Sequence, residues 1–140
     1  MDKADNTEAL ATQVDINVVT TYLATHSRPD QGQYTFAYTI TISNHGAVPL
    51  QLMSRHWIIT DAEDDVQEVR GEGVIGEQPV IAPGKSFRYT SGATLATPVG
   101  CMEGSYTMVV RKTGAPGRNA DGGFDVPIPA FSLHTPTALH

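Results

Sequence analysis

From Tyr34 to Ile42 every even position carries a large apolar or aromatic side chain (Tyr34, Phe36, Tyr38, Ile40, Ile42), while the odd positions carry Thr35, Ala37, Thr39 and Thr41. Successive side chains of a strand point to opposite faces, so this alternation describes a strand with one face in a core. A helix would scatter the same residues around its circumference. The pattern recurs at Val14, Ile16 and Val18, which alternate with Asp15 and Asn17, and the breaker stretch His26 to Gly32 follows.

The run from Pro49 to Thr60 changes phase. Leu50 and Leu52 share one parity and Trp57 and Ile59 the other. Both pairs can face one core only if an extra residue is absorbed between them, which predicts a β-bulge near Met53 to Arg55 and a buried Trp57. Further short strands are expected at Val66–Arg70, Lys85–Ser91, Gly104–Lys112 and Gly123–Ile128, with turns at Ala82 to Gly84, Thr97 to Gly100 and Gly114 to Gly117. About seven strands, punctuated by 13 glycines and 9 prolines and with no sustained helical period, indicate an all-β chain. The expected architecture is a single antiparallel β-sandwich of immunoglobulin or fibronectin III type, with a small barrel as the alternative. Residues 13–133 form the domain, and 1–12 and 134–140 read as tails.

Charge and composition narrow the function. Nine Lys and Arg against fifteen Asp and Glu give a net charge of -6, which does not supply the cationic surface that general nucleic-acid binding needs. No apolar run is long enough to span a bilayer. The single cysteine, Cys101, has no partner within the chain, and the opening residues lack a charged segment followed by an apolar one. A cytoplasmic protein is the expectation.

Gly71-Glu-Gly-Val-Ile-Gly76 spells the glycine pattern of dinucleotide-binding turns. That pattern works when a helix follows and directs its N-terminus at a pyrophosphate. Here Pro79 and Pro83 interrupt the continuation, and Glu72 and Glu77 place negative charge where a phosphate would sit. A compact inter-strand loop with positive-φ glycines is the favoured reading, and an anion nest is the alternative. Asp61, Glu63, Asp65 and Glu72 occupy positions 1, 3, 5 and 12 of a calcium-loop count, but Val66 stands where the sharp turn needs glycine. A solvated turn is expected. The five histidines, His26, His45, His56, His134 and His140, show no metal-ligand spacing, so no metal site and no cofactor are expected. None of Ser54, Ser86, Ser91, Ser105 or Cys101 lies in a nucleophile motif, and the chain reads as a non-enzyme.

Six strings, taken together, carry a resemblance: Tyr34-Thr-Phe-Ala-Tyr-Thr-Ile40, Arg55-His-Trp-Ile-Ile-Thr-Asp61, Gly71 to Pro79, Tyr89-Thr-Ser-Gly92, Met102-Glu-Gly-Ser-Tyr-Thr-Met108 and Ile128-Pro-Ala-Phe131. Their order and spacing over about residues 14 to 140 resemble the bacterial ApaG family. The resemblance implies a short fibronectin III-like sandwich and an association with cobalt and magnesium efflux. It also implies proximity to the gene of a diadenosine tetraphosphate hydrolase. Similar eukaryotic domains, in an F-box protein and in a protein that binds DNA polymerase delta, imply an interaction module. The segment Arg111 to Gly123 looks longer than the family's usual hairpin.

The expected function is therefore a non-catalytic protein-interaction module, linked indirectly to divalent-cation homeostasis, that uses edge strands and the Gly71 to Pro79 loop. Arg55, His56, Gly71, Glu72, Gly73, Gly76, Glu77 and Gln78 are the candidate partner-binding residues. The alternative is nucleotide or polyphosphate binding by the glycine loop, with Mg²⁺ or Co²⁺ bridging Glu72 and Glu77. A phosphohydrolase ranks third.

Overall fold

The computed structural model describes residues 9–111 and 123–137. The expected long hairpin from Arg111 to Gly123 falls almost wholly outside them. Eight strands form two antiparallel sheets: β1 (Val14–Tyr22), β2 (Tyr34–Asn44), β3 (Leu50–Asp61), β4 (Val66–Glu72), β5 (Val80–Ile81), β6 (Ser86–Leu95), β7 (Val99–Val110) and β8 (Phe124–His134). The first sheet runs β1-β2-β6 and the second β4-β3-β7-β8, with β5 on the end of β3. The result is a sandwich.

Alternation places the core as the sequence indicates. Phe36, Ile40 and Ile42 of β2 are buried and face Leu50, Leu52 and Trp57 of β3 across the sheet gap, with Met102, Tyr106 and Met108 of β7 beside them. Each such side chain contributes about 1.5–3 kcal/mol when fully buried. The expected bulge is present: Leu52 pairs with Met108 and Ser54 with Thr107, leaving Met53 as the extra residue. It rotates the strand so that Leu52 and Trp57 both point inward.

Four elements go beyond the sequence reading, the first being β7, which begins at Val99, inside the expected Thr97 to Gly100 turn and five residues before the expected start at Gly104. β5 makes the strand count eight rather than seven, and at two residues it is too short to alternate. β6 continues past Ser91 to Leu95 through Gly92 and Ala93, which give no hydrophobic signal. β8 runs through Pro127 and Pro129 to His134. Proline lacks the N–H a central strand needs, and β8 tolerates it because it pairs only with β7. At the boundaries expected to be tails, Ala9–Thr12 form a helical turn with Leu10 and Ala11 packed against the core. Thr135 is buried and its N–H donates to the Pro98 carbonyl at 3.0 Å.

Candidate functional site

The glycine motif folds into a hairpin clamped over the β3 bulge. Val74 and Glu77 exchange backbone hydrogen bonds of 2.8 and 2.9 Å, and the two residues between them, Ile75 and Gly76, have φ of 43° and 80°. Two left-handed central residues are the signature of the tight turn that matches strand twist. Gly73 also has a positive φ, of 65°, and a Cβ there would collide with the Glu77 carbonyl. The bulged Met53 supplies the anchor: its carbonyl accepts the Gly73 N–H at 2.8 Å and the Gln78 side-chain amide at 2.9 Å. Pro79 accepts the Leu52 N–H at 3.0 Å.

Gly71 has a different reason to be glycine. A Cβ on it would lie 2.8 Å from the Arg55 guanidinium, which crosses that spot. Arg55 Nη1 then donates to the carbonyls of Gly73 at 2.8 Å and Glu72 at 3.3 Å. The amides of Gly73, Val74 and Glu77 already donate to backbone carbonyls, so three donors that an anion nest would need are engaged.

Arg55, Gly71, Glu72, Gly73 and Gln78 are thus brought together. His56 joins Ser54, Arg55, Arg70, Gly71 and Glu72 in lining a separate shallow cavity of about 370 Å³, although its ring leaves the opposite face of β3 from the Arg55 side chain. Neighbouring strand residues point to opposite faces, and His56 lies on the outer face of the second sheet. Its Nε2 is 2.7 Å from Glu68 Oε2, and Arg70 Nη2 is 3.4 Å from the same oxygen. The hydrogen bond from His56 and the Arg70 charge hold the Glu68 carboxyl below its ordinary value of 4.5.

The acidic residues do not converge. Asp61 Oδ1 accepts the N–H groups of Glu63 at 2.8 Å and Asp65 at 3.1 Å, which makes it a turn-forming side chain. Glu72 pairs with Ser54, whereas Val66 pairs with Thr60 at the other end of β4. At about 3.3 Å per residue that places Glu72 roughly 20 Å along the strand from the turn. Among the described residues, no three His, Cys, Asp or Glu side chains gather to hold a metal ion.

A cleft between the sheets was not legible as a site. It opens between edge strands β4 and β6, and its two adjoining cavities, about 340 and 190 Å³, share Tyr38, Arg55, Trp57 and Ser91 in their walls. The Ile75–Gly76 turn borders one end. Arg55 makes no ion pair among the described residues. The Tyr38 hydroxyl and the Trp57 indole N–H have no protein hydrogen-bond partner there either, and both keep contact with solvent although the rings are buried. Behind them the Tyr89 and Tyr106 hydroxyls lie 2.5 Å apart. Burial raises the pKa of both, so they stay neutral. The signal for the cleft was the inward row of β6, which shrinks from Phe87 and Tyr89 to Ser91 and Ala93.

The family model described as the ApaG domain matches residues 24–110. The chain belongs to the ApaG family. It is 56% identical over 129 residues to Protein ApaG of Thiobacillus denitrificans, covering 91% of this chain and 94% of that one. Protein ApaG of Pseudomonas aeruginosa is 54% identical over 129 residues, with 91% and 95% covered. Among solved structures, the crystal structure titled as the putative ApaA protein from Bordetella pertussis is 48% identical with a TM-score of 0.79, covering 89% of this chain and 95% of that one. The ApaG-domain match runs from before β2 to the end of β7 and so includes the strands that line the cleft. Among the described residues no helix is long and apolar enough to cross a membrane.

Proposed function

We propose that this ApaG-family chain is a non-catalytic, cytoplasmic protein-interaction module that takes an extended segment of its partner at the β4/β6 edge. The observation that carries this reading is the pair of edge strands that border one cleft. Among the described residues β4 pairs only with β3, and β6 only with β2, so each has backbone groups open to strand addition. The rigid Gly73–Glu77 hairpin closes one end.

Catalysis is disfavoured by geometry. The His56–Glu68 pair faces outward at an exposed carboxylate, and Ser105, the register partner of His56, makes no hydrogen bond with it. A nucleophile and its base need that contact. The nucleotide alternative loses the three hairpin amides already engaged, and the exposed Glu72 and Glu77 oppose a phosphate. Any connection with cobalt or magnesium then runs through the partner.

Affinity capture from extract of the source cell, with and without Co²⁺, tests the reading. A stoichiometric protein partner recovered in both conditions, and lost when Ala93→Leu narrows the cleft of a chain that still melts cooperatively, supports it. Recovery of no partner overturns it. So does a one-to-one micromolar Co²⁺ site in calorimetry, which would make the chain a cation carrier.

A further inference from the structure

The proposed module needs a way to tell one extended segment from another, and the cleft floor contains unusual chemistry for a sandwich interior. Three donors line it without acceptors among the described residues: the Trp57 indole N–H, the Tyr38 hydroxyl and the Arg55 N–H groups left over from its two carbonyl contacts. Ser91 adds a hydroxyl that makes no hydrogen bond among the described residues. Among the described residues no side-chain polar atom is both buried and unpaired, so these donors are open to solvent and free to take an acceptor from a ligand.

Arg55 sets the charge. Among the described residues it is the one cation lining these two cavities, and no carboxylate lines either. The hairpin contacts hold the guanidinium on the Gly71 surface by Nη1, which leaves other N–H groups of the planar fork for a second planar acceptor. The walls are edge strands, which favour an extended peptide backbone over a compact ligand.

Resting on the interaction-module reading, we infer that the β4/β6 cleft recognises an extended peptide segment bearing an acidic side chain, whose carboxylate is received by Arg55 with Trp57 and Tyr38 beside it. A single cation matches one carboxylate. A polyphosphate carries several negative charges and would meet Asp61 and Asp65, which line the adjoining cavity further along β4.

The protein contains its own reporter, because Trp57 is its only tryptophan. The experiment screens a positional library of decapeptides, each pool with one fixed residue, against the full chain, and then titrates the enriched peptide while reading Trp57 emission. The expected result is enrichment of Asp or Glu at one position, saturable change in Trp57 emission, and a loss of about tenfold or more on replacing that residue with its amide. In Arg55→Gln the acid and amide peptides should bind equally. Because Arg55→Gln also removes the hairpin contacts, Ser91→Leu provides a second route: it fills the cleft from β6, leaves those contacts in place, and should weaken the acidic peptide at unchanged melting temperature.

Peptides that bind with no acidic preference, or whose acid-to-amide ratio survives Arg55→Gln, overturn the carboxylate assignment and leave the module reading standing. ATP that displaces the acidic peptide and binds more tightly overturns it in favour of a phosphate ligand. No peptide binding to a chain that captures its whole partner overturns the cleft as the recognition site. Failure of the module reading is a separate result, the absence of any captured partner.

Discussion

The two open sides of the sandwich are built differently. At the β1/β8 side most inward residues are large: Ile16, Val18 and Tyr22 on β1, with only Thr20 polar between them, and Val126, Ile128 and Leu133 on β8 join one core, and the strands lie against each other. At the β4/β6 side the inward rows contain Gln67, Val69 and Gly71 opposite Ser91 and Ala93, and a cleft remains. Close packing explains the first edge, since large apolar rows interdigitate and exclude water. Small and polar rows do not reach across the same sheet gap. One edge is therefore core and the other is a surface lined by core residues.

Substitutions that ignore this difference should have the largest effects. Trp57 belongs to both regions, with its ring edge-on to Tyr38, Tyr106 and Phe131. Trp57→Ala should cost about 3–5 kcal/mol in a denaturant melt. At the closed edge Ile128→Ala should cost about 2–5 kcal/mol, whereas Ser91→Ala at the open edge should stay within about 0.5 kcal/mol. Equal costs at the two edges would break the comparison.

The glycine hairpin at the end of the cleft gives a finer contrast. Gly73→Val meets both a positive φ and the Glu77 backbone, and should cost at least about 2 kcal/mol. Gly76→Ala has a positive φ but open space, and should cost about 1 kcal/mol. Paired thermal melts separate the two. If Gly73→Val were as stable as the parent yet lost binding to a dinucleotide polyphosphate, the anion nest would replace the hairpin reading.

Titration distinguishes inside from outside. Tyr106→Phe leaves the Tyr89 hydroxyl without its partner and should cost about 1–3 kcal/mol near neutral pH. In the parent both tyrosines have folded-state pKa values above the ordinary 10.0, so their contribution is complete below pH 10 and declines as pH rises past it. A pH series of urea melts reads that alkaline loss, which should be smaller in Tyr106→Phe. The smallest effect belongs to the outer face. Glu68 has a lowered pKa, so its contribution is present above its ordinary 4.5 and is lost as pH falls through the folded value. Glu68→Gln should slightly flatten the acid limb of the same series, and more so at low salt.

Much of this was readable from residue order. The parity change between Leu52 and Trp57 required the bulge, and the prolines after Gly76 excluded a phosphate-binding helix. The candidate residues of the loop were found for the same local reasons, because tight turns and close approaches leave glycine signatures. β5 and the second half of β8 escaped detection, since a two-residue strand has no period and proline masks an edge strand. Arg55 and His56 are adjacent in sequence and send their side chains to opposite faces of β3, so although both border the cavity beside Gly71 and Glu72, only Arg55 enters the cleft between the sheets. Tyr38 and Trp57 read only as core.

The sequence by itself determined the cores of the longer strands, their inward faces, the bulge and the glycine loop, because each depends on contacts or dihedrals within a few residues. Which edge of the sandwich closes depends on strand order. Only the tertiary structure brings β6 opposite β4, and so places Ser91 and Ala93 beside Trp57 and Arg55, although these lie more than thirty positions apart in the chain. The cleft results from two inward rows being small at the same place. Neither row announces that alone, because the space between two sheets is a property of the pair.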